Sequence, residues 1–314
     1  MKDNSAVRTE SLCTPVVHSS PAVAYIQRAK RRRRQPPPFG VTHCLALMSP
    51  LRRLAALAAR TPSSCATKSF RTGYATTPST PGIYEFRTYD IQPGALGDYL
   101  ALCDASRATR QRLNPGFLGF FQTETGGDVN RVTHVYRYEN YDERDRVRGG
   151  MARDAEWVNF LRESKSALRS QTSEIFLEAA KATTAAGLGV NDMVRRAAQD
   201  GARAPGVFEL RRYQLELGYN PIPKLIDHLA SGLPSKIQSD KDKKGELCGM
   251  FYSDVGKLNQ FVELWRYDSY QDHIRVREAA RGASAWRAAI GEIAPMVQMF
   301  DTQLLKPVGL SPIQ

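Results

Sequence analysis

The sequence predicts an α+β protein built from two similar units, each laid out strand–helix–strand–strand–helix–strand and packed sheet against sheet. Three observations predict it. The chain repeats itself: Ile83-Tyr-Glu-Phe-Arg-Thr-Tyr89 is answered by Val207-Phe-Glu-Leu-Arg-Arg-Tyr213, residues 130–141 by 259–270, and Trp157 by Trp286. The repeated unit is about a hundred residues, the size of a domain and too long for a solenoid repeat. Both copies also carry the same order of strand alternation, turn signals and helix caps.

In the first copy residues 82–91 alternate and read as a strand, and Leu96, Leu100 and Cys103 place a helix over residues 94–113. The aromatic stretch 116–123 is a second strand, Gly126-Gly127-Asp128 a hairpin turn, and 129–139 the return strand. Asn140 with Glu143, and Ser269 with Asp272 in the second copy, are capping pairs that start a helix running on through Trp157 or Trp286. Residues 174–178 and 296–304 close the two units. This is the ferredoxin-like βαββαβ plan, a four-stranded antiparallel sheet with both helices on one face. Such a sheet leaves its other face bare, and a tandem copy can cover it. The expectation is a pseudo-dimer of the dimeric α/β-barrel type, with units at 82–180 and 206–308 and a linker at 181–205 that holds a short helix near 192–199.

Residues 1–81 are expected to form a disordered basic leader. Of the chain's net charge of +12, +11 resides in residues 1–84, which hold 13 Lys and Arg against Asp3 and Glu10, leaving 31 basic and 30 acidic residues beyond. A balanced remainder gives no support for nucleic-acid binding. Residues 11–84 lack Asp and Glu altogether, and Met48 to Arg60 can form an amphipathic helix with Leu51, Leu54, Ala55 and Ala58 on one stripe. That is the composition of a mitochondrial presequence, placed at about 48–75. It begins at Met48 rather than at Met1, so either Met48 is the start or the first 47 residues are an additional leader. The run Arg28-Ala-Lys-Arg-Arg-Arg-Arg34 would suit nuclear import by composition, but a solvated basic run is the favoured reading.

Five cysteines, of which only Cys103 and Cys248 fall within the repeats, make neither a disulfide framework nor a metal site. His228 and His273 lack partners at ligand spacing, so no metal is assigned. No apolar run reaches the length of a membrane span. Phosphate-loop, dinucleotide-binding, nucleophile-elbow and zincin motifs are missing, and no cofactor is assigned.

Strand alternation sorts the side chains. Tyr84, Phe86 and Thr88 share one face of the first strand; Glu85, Arg87 and Tyr89 share the other. The second copy sets Phe208, Leu210 and Arg212 against Glu209, Arg211 and Tyr213. On the return strands His134, Tyr136 and Tyr138 match Glu263, Trp265 and Tyr267. The apolar faces are expected under the helices and the polar faces between the sheets. Glu85, Arg87, Tyr89, His134, Glu209, Arg211, Tyr213 and Glu263 would then form one interior polar cluster. As a catalytic site, Glu85 or Glu209 with His134 would handle protons and Arg87 and Arg211 would hold an anion, with Tyr89 beside them. The favoured alternative is a neutralised Glu–Arg network joining the sheets. His134 is the asymmetric member and the best single catalytic or ligand candidate. Trp157 and Trp286 are read as helix anchors.

At these residues the chain resembles the NIPSNAP family. The resemblance rests on the segments 83–89 with Pro93-Gly94 and 207–213 with Gly218. It rests also on His134-Val-Tyr-Arg-Tyr138 and Glu263-Leu-Trp-Arg-Tyr267, each followed by an Arg-rich helix start and a later Trp. It covers roughly residues 82–306, with Tyr136 and Glu263 as departures. The resemblance implies a dimeric α/β-barrel fold, mitochondrial residence, and a role in mitochondrial quality control through ubiquitin-like autophagy modifiers and their receptors, or in vesicle transport. It brings no catalytic residues.

The favoured function is therefore a non-enzymatic mitochondrial adaptor or homeostasis protein, residing in the matrix after import and exposed at the outer surface when import fails, with some cytosolic. Its partners are proteins; a homo-oligomer and peripheral membrane association are both compatible. Aromatic-x-x-aliphatic pairs that could recruit a modifier occur at Tyr99/Leu102, Tyr219/Ile222, Tyr252/Val255 and Phe261/Leu264, with Tyr219/Ile222 the most exposed candidate. The alternative is a small-molecule binder, monooxygenase-like or haem-binding, that uses a cavity between the sheets.

Overall fold

The computed structural model describes residues 81–314. The basic run at 28–34 and the presequence-like helix at 48–60 lie outside them. Eight strands close into one antiparallel barrel in the order β1-β3-β2-β8-β5-β7-β6-β4. The strands are β1 (Ile83–Ile91), β2 (Phe117–Thr125), β3 (Arg131–Tyr138), β4 (Leu168–Glu178), β5 (Val207–Leu215), β6 (Gly245–Val255), β7 (Gln260–Tyr267) and β8 (Val297–Pro307). The first-half strands run in the order β4-β1-β3-β2 and the second-half strands in the order β8-β5-β7-β6. Two short seams join them: Phe121–Thr125 of β2 with Leu304–Pro307 of β8, and Ile175–Glu178 of β4 with Phe251–Val255 of β6.

The helices are more broken than the sequence suggests. The first is divided at Ser106 into α1 (Leu96–Ala105) and α2 (Arg107–Leu113). After Asn140, which accepts from the Glu143 N–H while the Glu143 carboxylate accepts from Glu139 N, comes α3 (Tyr141–Met151). It stops before Trp157, because Asp154 accepts from the Trp157 N–H and caps a new helix, α4 (Ala155–Ser164). The linker supplies α5 (Ala180–Ala185) and α6 (Asp192–Gln199), the latter where the sequence places it. In the second half α7 (Pro221–Ser239) is continuous. There Ser269 caps α8 (Tyr270–Gly282), and Ala283 separates it from α9 (Ser284–Ile293).

Three layers of core follow. Tyr84, Phe86, Phe121, Val135, Phe176, Phe208, Leu210, Phe251, Val262, Leu264 and Leu305 fill the barrel, joined by Met193, Val194 and Ala197 of α6 and by Ile313. Phe86 meets Phe176 at 5.1 Å and Phe251 at 5.6 Å, and Phe121 meets Phe208 at 4.8 Å between ring centres, so both halves share this core. At the barrel ends Arg137 donates to Asn191 Oδ1 and Arg266 to the Gln314 carbonyl. Outside the barrel, one core lies under α1–α4 around Tyr99, Phe120, Tyr136 and Trp157. The other lies under α7–α9 around Leu229, Phe261, Trp265 and Trp286.

This reverses the expected facing. The interior takes the apolar sides of β1 and β5, and the Glu-, Arg- and Tyr-bearing sides lie outside the barrel beneath the helices. The middle of the barrel is crowded by aromatic rings from opposite strands and leaves inward-facing ions such as Arg212 and Arg266 to pair towards its ends, whereas the helices bring arginines to meet Glu85 and Glu209. The eight residues expected to form one interior cluster therefore form two separate ones.

Candidate functional site

In the first half Glu85 is fully buried. Its carboxylate accepts from Arg87 Nη1 at 2.9 Å, Arg144 Nη2 at 2.8 Å, Ser173 Oγ at 2.6 Å and the Tyr138 hydroxyl at 3.3 Å, with Arg148 at 3.8 Å. Burial would raise its pKa, but Arg144, Arg148, Ser173 and Arg87 together outweigh it and hold the carboxyl at about 2. Arg87 Nε also donates to the Tyr89 hydroxyl. His134 is buried between Phe120 and Tyr89, at 4.1 and 4.8 Å between ring centres. Arg110, reaching from α2, donates to the Tyr136 hydroxyl at 2.7 Å, and both sit 3.4 Å from His134 Nδ1. Burial, then Arg110, Arg87 and Arg148, push His134 well below its ordinary value, so it stays neutral. A carboxylate clamped by arginines and an imidazole kept neutral are poorly placed to move protons near neutral pH.

The second half repeats the plan with different groups. Glu209 is fully buried, with Arg211 Nε at 3.1 Å, the Tyr267 hydroxyl donating at 3.1 Å, His273 Nε2 at 3.4 Å and Arg277 Nη1 at 3.5 Å. Burial acts against its ionisation, and His273, Arg211 and Arg277 reverse that and hold it at about 2. His273 and Arg277 thus stand where Arg144 and Arg148 stand in the first half. Glu263 replaces His134 and accepts from the Tyr213 hydroxyl at 2.9 Å and from Trp265 Nε1 at 2.6 Å. Lys236, reaching from α7, takes the place of Arg110. Its ammonium lies 3.6 Å from the centre of the Trp265 ring and 4.7 Å from that of Trp286.

Beside this second cluster, between the outer face of the sheet and α7–α9, is a cavity of about 720 Å³. Its walls include Tyr213, Val276, Trp286, Ile290, Ile293, Val297 and Phe300; Lys236 and Arg211 line it, and the exposed Arg281 and Arg287 flank it. It lies outside the barrel and away from the space between the sheets where the sequence places a cavity. Among the described residues no group of three or more His, Cys, Asp or Glu could hold a metal ion, and no helix is long and apolar enough to cross a membrane.

The structure places Glu85, Arg87, Tyr89 and His134 together, and Glu209, Arg211, Tyr213 and Glu263 together. Sequence reasoning missed their helical partners Arg110, Arg144, Arg148, Lys236, His273 and Arg277. The signal was present in part: Arg144 and Arg148 follow the Asn140 cap by four and eight residues, as His273 and Arg277 follow Ser269. Of the recruitment pairs, Tyr99, Tyr252 and Phe261 sit in α1, β6 and β7. Tyr219 is fully exposed, but Ile222 lies in the first turn of α7 and packs on the second-half core, so this pair cannot pair as an extended strand.

The NIPSNAP family matches twice, over residues 84–182 and 208–312, one match on each half of the barrel. The chain belongs to the NIPSNAP family. It is 28% identical over 273 residues to human protein NipSnap homolog 3A, covering 86% of this chain and 100% of that protein. Its identity to mouse NipSnap homolog 3B is 27% over 277 residues, with the same coverage of 86% and 100%. A solved NIPSNAP family protein of unknown function from Agrobacterium tumefaciens is 26% identical, with a TM-score of 0.31, over 35% of this chain and 94% of that one.

Proposed function

We propose that this NIPSNAP protein is mitochondrial and acts by binding, as an adaptor or homeostasis factor in mitochondrial quality control or vesicle transport. The observation that carries the reading is family membership across both halves, joined to an acid-free, Arg-bearing stretch at 11–84. The clamped Glu85 and the neutral His134 support it, since both are tied into structure. The same reading treats each half as a ferredoxin-like unit, at 82–180 and 206–308, which the strand orders β4-β1-β3-β2 and β8-β5-β7-β6 favour. The test is import into isolated mitochondria, N-terminal sequencing of the mature chain, and capture of purified autophagy modifiers by the protein. Failure of import would sink the mitochondrial part. Loss of capture on replacing Arg87 or His134, in variants that still fold, would count against a surface-binding role.

A second reading is favoured by the cavity under α7–α9: the second half holds a small molecule. Native mass spectrometry of the protein purified from cells tests it. A bound mass lost on denaturation is the expected result, and a bare chain together with no uptake from a metabolite library would count against it.

A further inference from the structure

The charges around the second-half cavity identify what it takes. Lys236 is 4% exposed and lines the cavity, and its ammonium has no hydrogen-bond acceptor. The nearest carboxylate oxygen, on Glu263, is 3.9 Å away, beyond hydrogen-bond reach. Glu263 is held in that orientation by the bonds its two oxygens accept from Tyr213 and Trp265. Glu209 is held by Tyr267, Arg211 and Arg277. The Trp265 and Trp286 rings compensate the charge in part, but they accept no ordinary hydrogen bond, and three buried donors without an acceptor are costly, so the site has room for one.

The balance of charge says which kind. Arg211, Lys236 and Arg277 face Glu209 and Glu263, and Arg281 and Arg287 also line the cavity, so positive charge prevails around it. An anionic ligand suits that excess. The walls above the cluster, Val276, Ile290, Ile293 and Val297, offer only hydrocarbon to the rest of a ligand. We propose that the cavity binds a carboxylate with an apolar body, its carboxylate on Lys236 and Arg211 and its chain along those walls. The proposal rests on the reading of this cavity as a ligand site and names the ligand's chemistry.

Titration of Lys236 agrees. Burial, then Arg211 of β5, lower it to about 7, against Glu263 of β7 and Glu209 of β5, while Arg277 of α8 adds to the lowering. An arriving carboxylate restores the proton, so binding near neutral pH takes up protons and weakens as pH rises.

The test is calorimetric titration of the full chain near neutral pH with dodecanoate and with dodecanol, both below their aggregation limits. The variants are Lys236→Met, and Ile290→Trp to narrow the cavity. Dodecanoate should bind wild type, with a heat that changes with the buffer's ionisation enthalpy. Lys236→Met should weaken dodecanoate about tenfold or more while leaving dodecanol unchanged. Ile290→Trp should weaken both. Equal affinity for the acid and the alcohol in wild type, or dodecanoate binding untouched by Lys236→Met, would overturn the carboxylate assignment while leaving a ligand site. Binding of neither probe, or binding indifferent to Ile290→Trp, would remove the site itself. Should Lys236→Met not fold, the wild-type preference for acid over alcohol decides.

Discussion

Replacing Glu85 by Gln removes the one carboxylate that Arg87, Arg144 and Arg148 share. Gln keeps the volume and one acceptor oxygen, so the change is mostly one of charge. Glu85 titrates at about 2 in the fold against an ordinary 4.5. At 1.36 kcal/mol per pH unit, that shift corresponds to about 3 kcal/mol of stability at neutral pH. The figure matches the lower end expected for breaking a buried pair, as suits guanidinium groups that are each partly exposed. Because the folded pKa is depressed, this stability is fully present above about 4.5 and is lost as pH falls towards 2. Urea unfolding at neutral pH should therefore show Glu85→Gln less stable by about 3 kcal/mol, equivalent to a melting temperature lower by roughly 6–12 °C for a chain of this size. In acid the gap should close. A loss under about 1 kcal/mol at neutral pH, or a gap that persists unchanged in acid, would refute the claim that Glu85 is held ionised by the helices above it.

Phe86 is 1% exposed among Phe176 and Phe251 in the barrel, so Phe86→Ala should cost about 3–5 kcal/mol by chemical denaturation. Leu217, 89% exposed, should tolerate Ser within about 0.5 kcal/mol. Glu178, whose carboxylate accepts from the Asn191 N–H, is raised to about 7 by burial. The fold thus keeps a proton that the unfolded chain has lost, and stability falls as pH rises from about 4.5 to about 7. Glu178→Gln should remove that fall and leave the variant about 3 kcal/mol more stable than wild type in mild alkali, read from melting curves across pH. Gly116→Ala would set a methyl 2.0 Å from the Arg137 carbonyl oxygen, forcing the backbone apart, and should lower stability by about 1–3 kcal/mol in urea unfolding.

The alternation in residues 83–89 and 207–213 sorted side chains into the right pairs of faces, because the strand period depends only on the backbone. It could not say which face meets a sheet and which meets helices, since both faces of β1 carry an aromatic ring and a polar group. The deciding information lies elsewhere in the chain, in Arg144, Arg148, His273 and Arg277, whose spacing from the helix caps aims them at Glu85 and Glu209. Thr88 and Arg212, polar members of the inward faces, sit far enough along their strands for Arg212 to pair with Glu174. Lys236 was invisible in the sequence because its counterpart, Arg110, comes from a helix of different length and leaves no shared register. The break after Met151 was missed for a local reason: Asp154 reads as an ordinary polar residue until its side chain is seen capping Trp157.

The two short seams, β2 with β8 and β4 with β6, have a consequence for recruitment. Because the seams are short, residues 168–173 of β4 and 297–301 of β8 pair with a strand on one side only and run out exposed beyond the closed ring. A modifier that docks by extending a host sheet finds backbone to grip at those two overhangs. Prising either seam apart would lengthen these sticky edges on both halves at once, making each half a template for the wrong neighbour.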